Sequence, residues 1–259
     1  MATAMVTVTA TRTIRTTNSM FSFLNPHTSL AHSGLLQGAA DHHSHILYGV
    51  DDGVKTLEGS LRILDWEAAH GVTDVWCTPH IMEDVPNRTE DLQKRFQELT
   101  SAYKGPIRLH LAAEYMLDNL YLERLKNRDL LLHGQDRILV ETSTGIPPYN
   151  LWEILEQTLS AGYRPILAHA ERYHYLHQED YDRLINMGVR LQLNLPSLAH
   201  YYGSEVKNRA DWLLKKGYYC MAGSDVHRFK TLLHQFGSKA IRKRTLPLVR
   251  PIMPPYTED

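Results

Sequence analysis

Gly162-Tyr163-Arg164-Pro165-Ile166-Leu167-Ala168-His169 holds, in one short stretch, the pattern that decides the fold. A segment of helical spacing (Leu151, Ile154, Leu155, Leu159) precedes it. Gly162 stands where a helix wants a left-handed C′ residue, an apolar run follows, and a histidine closes the run. Working outward, Gly71, Gly188 and Gly217 occupy the same position between a helical segment and an apolar run. Seven candidate strands result: His43 to Leu47, Val72 to Thr78, Ile107 to Ala113, Arg137 to Val140, Arg164 to Ala168, Val189 to Leu193 and Tyr218 to Ala222. Helical segments such as Leu57, Leu61, Leu64 and Ala68 alternate with them, and such alternation implies an α/β fold with a parallel sheet. A closed or distorted barrel and an open doubly wound sheet both satisfy the pattern. No G-x-G-x-x-G turn follows the first run to indicate a dinucleotide crevice, and a barrel is the preferred expectation. Asn150 with Glu153, Thr89 and Ser204 mark expected helix starts.

A chain of 259 residues with 43% hydrophobic content can bury one sizeable core, and a single domain over residues 20–246 is expected. Residues 1–19 are threonine-rich, carry only Arg12 and Arg15 as charges and have no apolar signal core. They read as a disordered leader, with a transit peptide as the alternative and Met20 as a candidate natural start. Residues 247–259 contain Pro247, Pro251, Pro254 and Pro255 and read as a surface tail. Lysine plus arginine number 28 against 29 for aspartate plus glutamate, so no bulk field draws the chain to nucleic acid or an anionic membrane. No apolar run approaches the ~18 residues of a membrane span. Cys77 and Cys220 lie in separate apolar runs and read as buried thiols of a cytoplasmic protein, not as a disulfide.

The chemistry begins with His43-Ser44-His45, where i, i+2 spacing on a strand turns both imidazoles to one face. Alone, such a pair also arises by chance on exposed loops. Yet His80, Glu114, Glu141 and His169 each follow an apolar run, and Asp225 with His227 repeats the i, i+2 spacing after the last one. A single polar residue ending a strand is usually a turn residue or a satisfied buried group. The full set, at the rim where parallel barrels place their sites, predicts one shared metal centre. Imidazoles and carboxylates without thiolates suit manganese, iron or zinc in a catalytic role. Asp51 and Asp52 sit in a glycine-bounded loop, where a solvated turn competes with ligation, above all for Asp51. Arg172 is a candidate phosphate clamp. Arg228 is a second one, against the simpler reading of a surface or helix-capping arginine, and Lys55 is ambiguous in the same way. Trp66, Ala69, Leu213 and Leu214 read as core.

Asp41-His42-His43-Ser44-His45, Asp51-Asp52-Gly53, Thr78-Pro79-His80, Ala113-Glu114, Val140-Glu141, Ala168-His169-Ala170-Glu171-Arg172-Tyr173 and Gly223-Ser224-Asp225-Val226-His227 occur in that order. Together they resemble the bacterial protein-tyrosine phosphatases of the polymerase-and-histidinol-phosphatase (PHP) superfamily, capsular and exopolysaccharide branch, over about Met20 to Lys243. The resemblance implies a distorted (β/α)7 barrel and a three-metal cluster, described with manganese. Carried over by position, it implies His43, His45, Asp52, His80, Glu114, Glu141, His169, Asp225 and His227 as ligands, with Glu141 bridging and catalytic. Asp52 joins Glu141 and Arg172 as catalytic, and Arg172 binds phosphate. A further family arginine is expected beyond Asp-x-His; here Arg228 comes at once, and Phe229-Lys230-Thr231 departs from the pattern. The implied substrate is phosphotyrosine on the tail of a bacterial tyrosine autokinase that controls polysaccharide export. Alternatives are a histidinol-phosphate-type phosphatase, a nuclease of the same superfamily, or a silent regulatory barrel. Neither cysteine belongs to a Cys-x5-Arg phosphate loop, so the expected mechanism is metal-assisted in-line attack by water, with His174 and His200 as candidate general acids.

Overall fold

The computed structural model describes residues 26–255, so the leader 1–19 and the start at Met20 lie outside the described residues. In chain order the strands are β1 (His27–Thr28), β2 (Ala40–Ser44), β3 (Asp74–Cys77), β4 (His80–Ile81), β5 (Arg108–Leu111), β6 (Glu114–Met116), β7 (Arg137–Glu141), β8 (Arg164–Leu167), β9 (Arg190–Asn194), β10 (Tyr219–Gly223) and β11 (Ile241–Arg242). The helices are α1 (Leu57–Ala69), α2 (Thr89–Ala102), α3 (Asn119–Asn127), α4 (Leu151–Ser160), α5 (Gln178–Met187), α6 (Gly203–Lys216), α7 (Phe229–Gly237) and α8 (Leu246–Val249). Parallel ladders run β2-β3-β5 in one sheet and β4-β6-β7-β8-β9-β10 in another, while β1 and β11 form a small antiparallel pair.

Backbone hydrogen bonds join the two sheets into a ring of seven staves. Ala112 N–H donates to Cys77 O at 2.9 Å and Glu114 N–H to Pro79 O at 3.0 Å, which carries the β3–β5 ladder on into the β4–β6 pair. At the other seam, Asp225 N–H reaches His43 O at 2.8 Å and His45 N–H reaches Val226 O at 3.0 Å. Gly223 is required there, because a Cβ would stand 2.4 Å from His43 Cβ. The fold is therefore the α/β distorted (β/α)7 barrel that the alternation and the resemblance led one to expect. Its helices pack an apolar shell against the staves. Leu139, Ile166, Ala168 and Met221 fill part of the interior, with Leu139 two residues before Glu141 on the same face of β7.

Glycines behave as the sequence predicts: Gly71, Gly162, Gly188 and Gly217 all have positive φ between helix and strand. Helix starts differ. α1 and α3 are capped by the side chains of Thr56 and Asp118, whereas Thr89 and Ser204 lie inside their helices. The Thr89 hydroxyl is instead engaged with Asp129 and Arg124. Asn150 does precede α4, but a turn closed by Leu151 N–H to Pro148 O leaves it outside the extended conformation that a capping side chain needs. The first strand ends at Ser44 rather than Leu47, since His45 donates its N–H across the seam. The runs ending at Thr78 and Ala113 break before His80 and Glu114, which open the separate strands β4 and β6.

The proline-containing segment, expected on the surface, folds back in its described part. Val249 is fully buried, Met253 is 2% exposed, and Arg250 donates to Gln37 O at 3.0 Å. Two apolar side chains outweigh the prolines there. Cys77 is buried and Cys220 exposed, both free. Among the described residues no helix is long and apolar enough to cross a membrane.

Candidate metal centre

Every residue of the candidate ligand set converges at the C-terminal ends of the staves. His43 Nε2 and His45 Nε2 lie 3.1 Å apart, each 3.2 Å from Glu114 Oε2 and 3.6 and 3.5 Å, respectively, from Asp225 Oδ1. Next to them, His80 Nδ1 is 3.1 Å from Glu114 Oε2 and 2.9 Å from Glu141 Oε1. His169 Nε2 is 3.0 Å from Glu114 Oε1 and 3.5 Å from Glu141 Oε2. At the outer edge Asp52 Oδ1 approaches His80 Nε2 at 3.6 Å and His227 Nε2 at 3.3 Å, with 70% of its side chain exposed.

Two donors about 2.1 Å from one cation stand roughly 3.0–3.5 Å apart at octahedral or tetrahedral angles, and these separations match that spacing. Both oxygens of buried Glu114 and Oε1 of Glu141 lie beside imidazole nitrogens without hydrogen-bond geometry to any of them. Buried carboxylate oxygens left so are costly unless a cation completes them, so the donor set suits a polynuclear centre. Three overlapping groups meet the spacing: His43, His45, Asp225; His80, Glu114, Glu141; and His45, Asp52, His80, His227. Glu114, more than the expected Glu141, stands between groups.

Local structure explains the convergence. Parallel register pairs His80 with Glu114, which sets those side chains side by side. His169 and Asp225 follow β8 and β10 in the left-handed region, at φ 34° and 53°, a costly conformation that turns each side chain into the ring. Hydrogen bonds hold both: His169 N–H donates to Gln192 Oε1 at 2.7 Å, and Asp225 accepts from Asn194 Nδ2 at 2.8 Å.

An acceptor behind an imidazole fixes which nitrogen faces the site. Gln192 Oε1 sits 3.1 Å from His43 Nδ1, Asp51 Oδ2 2.8 Å from His45 Nδ1, and the Asp225 carbonyl 2.9 Å from His227 Nδ1. Each leaves Nε2 pointing inward. Asp51 is thus no solvated turn residue; it also accepts from His80 N–H at 3.1 Å and Gly53 N–H at 2.9 Å. Sequence reading missed Gln192 and Asn194. Polar residues at alternate positions of the run Leu191-Gln192-Leu193-Asn194 were the available signal.

The electrostatics are those of a charge cluster. Burial works to raise Glu114, but the neighbouring His43 and His80 outweigh it and hold the carboxyl well below its usual range. Asp225 is held at about 2 against burial by the same kind of neighbours. Burial opposes charge on His45, His80 and His169, yet the facing carboxylates raise them to about 10, 12 and 9.

A cavity of about 390 Å³ opens over the cluster, lined in part by Asp52, His80, Glu141, His169, Asp225 and His227. Arg172 lines it too, with Nη1 bonded to Asp225 Oδ2 at 2.9 Å and its guanidinium 4.5 Å over the Tyr202 ring. Arg228 is exposed on the same wall. His174 and His200 do not line it: His174 faces Glu205 at 3.6 Å, and exposed His200 ends a 3₁₀ turn. Lys55 turns back to Asp51 O.

A (β/α)7 barrel with a candidate polynuclear metal centre at its C-terminal rim is the class that fold and site define. Comparison with known proteins narrows it: the capsular polysaccharide synthesis family CpsB/CapC matches residues 39–236, and the chain belongs to that family. Tyrosine-protein phosphatase CpsB of Streptococcus agalactiae is 30% identical over 206 residues, spanning 72% of this chain and 82% of that protein. Tyrosine-protein phosphatase YwqE of Bacillus subtilis is 26% identical over 198 residues, spanning 74% and 78%. Crystal structures of YwqE from Bacillus subtilis and CpsB from Streptococcus pneumoniae, described as metal-dependent tyrosine phosphatases, superpose with a TM-score of 0.69 at 21% identity. That match covers 80% of this chain and 84% of the other and shows the shared fold.

Proposed function

We propose that this protein is a metal-dependent protein-tyrosine phosphatase acting on the phosphorylated tail of a bacterial tyrosine kinase in capsule or exopolysaccharide production. The convergence of imidazoles and carboxylates beneath an arginine-lined cavity carries the reading, and the similar proteins named as tyrosine phosphatases suggest the substrate class. His43, His45, Asp52, His80, Glu114, Glu141, His169, Asp225 and His227 would hold the ions, with Glu114 shared between groups; manganese suits these hard oxygen and imidazole donors. When bound, the ions supply the Lewis acidity that neutralises phosphoryl charge and makes water nucleophilic at neutral pH.

The chain's own groups do the rest. Asp225 and the Tyr202 face hold the Arg172 guanidinium in place, so its other N–H groups serve the equatorial phosphoryl oxygens, where charge builds in the transition state. Arg228, exposed where it lines the same cavity, offers a second and looser contact. A phenolate leaving group, with a parent pKa of about 10, needs less protonation than an alkoxide, consistent with a cavity that neither His174 nor His200 lines. Neither cysteine lines it, which leaves no thiol nucleophile there. The reading places the protein in the cytoplasm, where such kinase tails are reached.

The test is turnover of a phosphotyrosine peptide, histidinol phosphate and an oligonucleotide, before chelation, after it, and with manganese restored. The peptide is expected to be the best substrate, lost on chelation and regained with manganese, and Glu141→Gln is expected to abolish its hydrolysis. A peptide poorer than histidinol phosphate or the oligonucleotide would overturn the assignment, and full metal occupancy with no hydrolysis would mark a silent regulatory barrel.

A further inference from the structure

Beyond the candidate ligands and the two arginines, the cavity wall is made of Thr144, Tyr201, Tyr202, Thr231 and Gln235. Its two tyrosines are differently placed. Tyr202 is committed to the protein: Arg172 covers its ring and its hydroxyl meets Asn194 Nδ2 at 3.3 Å. Tyr201 is 41% exposed, its ring held perpendicular to Tyr202 at 4.9 Å and steeply inclined to His234 at 6.0 Å.

The mount beneath Tyr201 is rigid. The preceding 3₁₀ turn, Leu195–Ala199, is wholly buried, and Ser197 Oγ anchors it to buried Glu171 at 2.6 Å. His200 at φ 61° and Gly203 at φ 90° then turn the chain sharply on either side of the tyrosine pair. A large aromatic surface is thus presented to the cavity with little freedom left to lose on binding.

We infer that Tyr201 is the specificity-determining residue of this cavity, the wall against which the phenyl ring of an aryl phosphate ester packs while its phosphoryl group reaches the carboxylate–imidazole cluster. The inference rests on the phosphatase reading and deepens it. Glu114 and His45 are fully buried while Tyr201 is 41% exposed, so the cluster forms the floor of the cavity and Tyr201 stands nearer its mouth. A phosphoryl group displaces only a few waters of ~30 Å³ each, and most of the 390 Å³ is left to the leaving group. In a phosphotyrosine the ring would occupy the span between the cluster and the cavity mouth, which Tyr201 lines. A phosphoserine of the same peptide, lacking that span, would have to draw its backbone into the cavity.

The experiment compares kcat/KM for phosphotyrosine and phosphoserine forms of one peptide in the wild-type protein, Tyr201→Phe and Tyr201→Ala, together with inhibition by phenylphosphonate and methylphosphonate. An aromatic contact contributes about 0.5–1.5 kcal/mol beyond area, so Tyr201→Ala should lower the aryl-to-alkyl ratio roughly three- to tenfold, chiefly through KM. Its inhibition by phenylphosphonate should weaken by a like factor relative to methylphosphonate, while Tyr201→Phe keeps the wild-type ratios. A wild-type preference for the aryl ester that survives Tyr201→Ala would overturn the role of Tyr201 alone. A wild-type protein without that preference would overturn the tyrosine-phosphatase reading and this inference with it. Equal losses on both esters in Tyr201→Ala would mark a structural residue and also count against the inference.

Discussion

Two histidine clusters share this barrel, and their neighbours make them opposites. At the rim, His45, His80 and His169 face Glu114, Glu141 and Asp51, and their protonated forms are favoured despite burial. Toward the start of β7, His133 stacks on Trp76 at 3.7 Å and tilts against His42 at 5.4 Å, while His110 stacks on the same indole at 4.7 Å. The nearby carboxylate, Asp74, is taken by Arg108 at 2.8 Å and His110 at 2.9 Å. Burial, with the charge of Arg137 adding to it, pushes His42 down to about 4, and burial holds His133 well below the usual histidine value. Equal burial therefore yields cation-binding chemistry in one place and neutral aromatic packing in the other. Carboxylate company decides which.

The contrast can be broken hardest at Glu114. Glu114→Gln is expected to lower phosphotyrosine-peptide hydrolysis at least ~10³-fold and to strip metal from the purified protein, because a shared carboxylate is lost. His133→Phe, in the other cluster, should keep both within a few-fold. Steady-state rates with metal analysis check this, and comparable losses in the two variants would erase the distinction. Next in size, Trp76→Ala should destabilise the barrel by about 3–5 kcal/mol, the cost of truncating a buried aromatic, read as a lower denaturant midpoint with metal content unchanged.

The smallest effect sharpens the comparison through pH. In chelated protein, His45 and His169 have folded values near 10 and 9, above an unfolded value of about 6.5. Their stabilisation is complete below about 6.5 and is lost as pH rises through 9 and 10. His42, depressed to about 4, acts in the opposite sense: the unfolded chain binds its proton first, so stability falls as pH drops from about 6.5 toward 4. Thermal melts of chelated protein should therefore decline by a few degrees on both sides of neutrality. Restoring metal should flatten the alkaline limb, since bound imidazoles are neutral, and steepen the acid limb, where protons displace the metal from its ligands. An alkaline limb unchanged by metal would show that the rim histidines do not hold it.

Much of this was legible in the sequence. Glycine C′ positions, short apolar runs and helical spacing are local properties of the chain, and so are His-x-His and Asp-x-His pairs at strand ends; the seven staves and the candidate donors other than Asp52 could be named from them, whereas Asp52 was singled out as a ligand only by the family resemblance. Boundaries were less legible, because the break at Thr78-Pro79-His80 and the early end of β2 at Ser44 depend on which neighbouring strand accepts each N–H. Asp51 could not be told from a solvated turn, nor Gln192 and Asn194 from ordinary strand residues, until His45, His43 and Asp225 stood beside them.

Sequence by itself determined the order of elements and the kinds of donor available, since both follow from side-chain type and spacing along one chain. Only the tertiary structure decided that Glu114 rather than Glu141 stands at the centre, that Tyr202 is committed while Tyr201 faces the cavity, and that His42 and His133 are packing rather than chemistry. Those outcomes turn on distances of 3–6 Å between residues far apart in sequence, and electrostatic character at such range belongs to the neighbourhood, not to the residue.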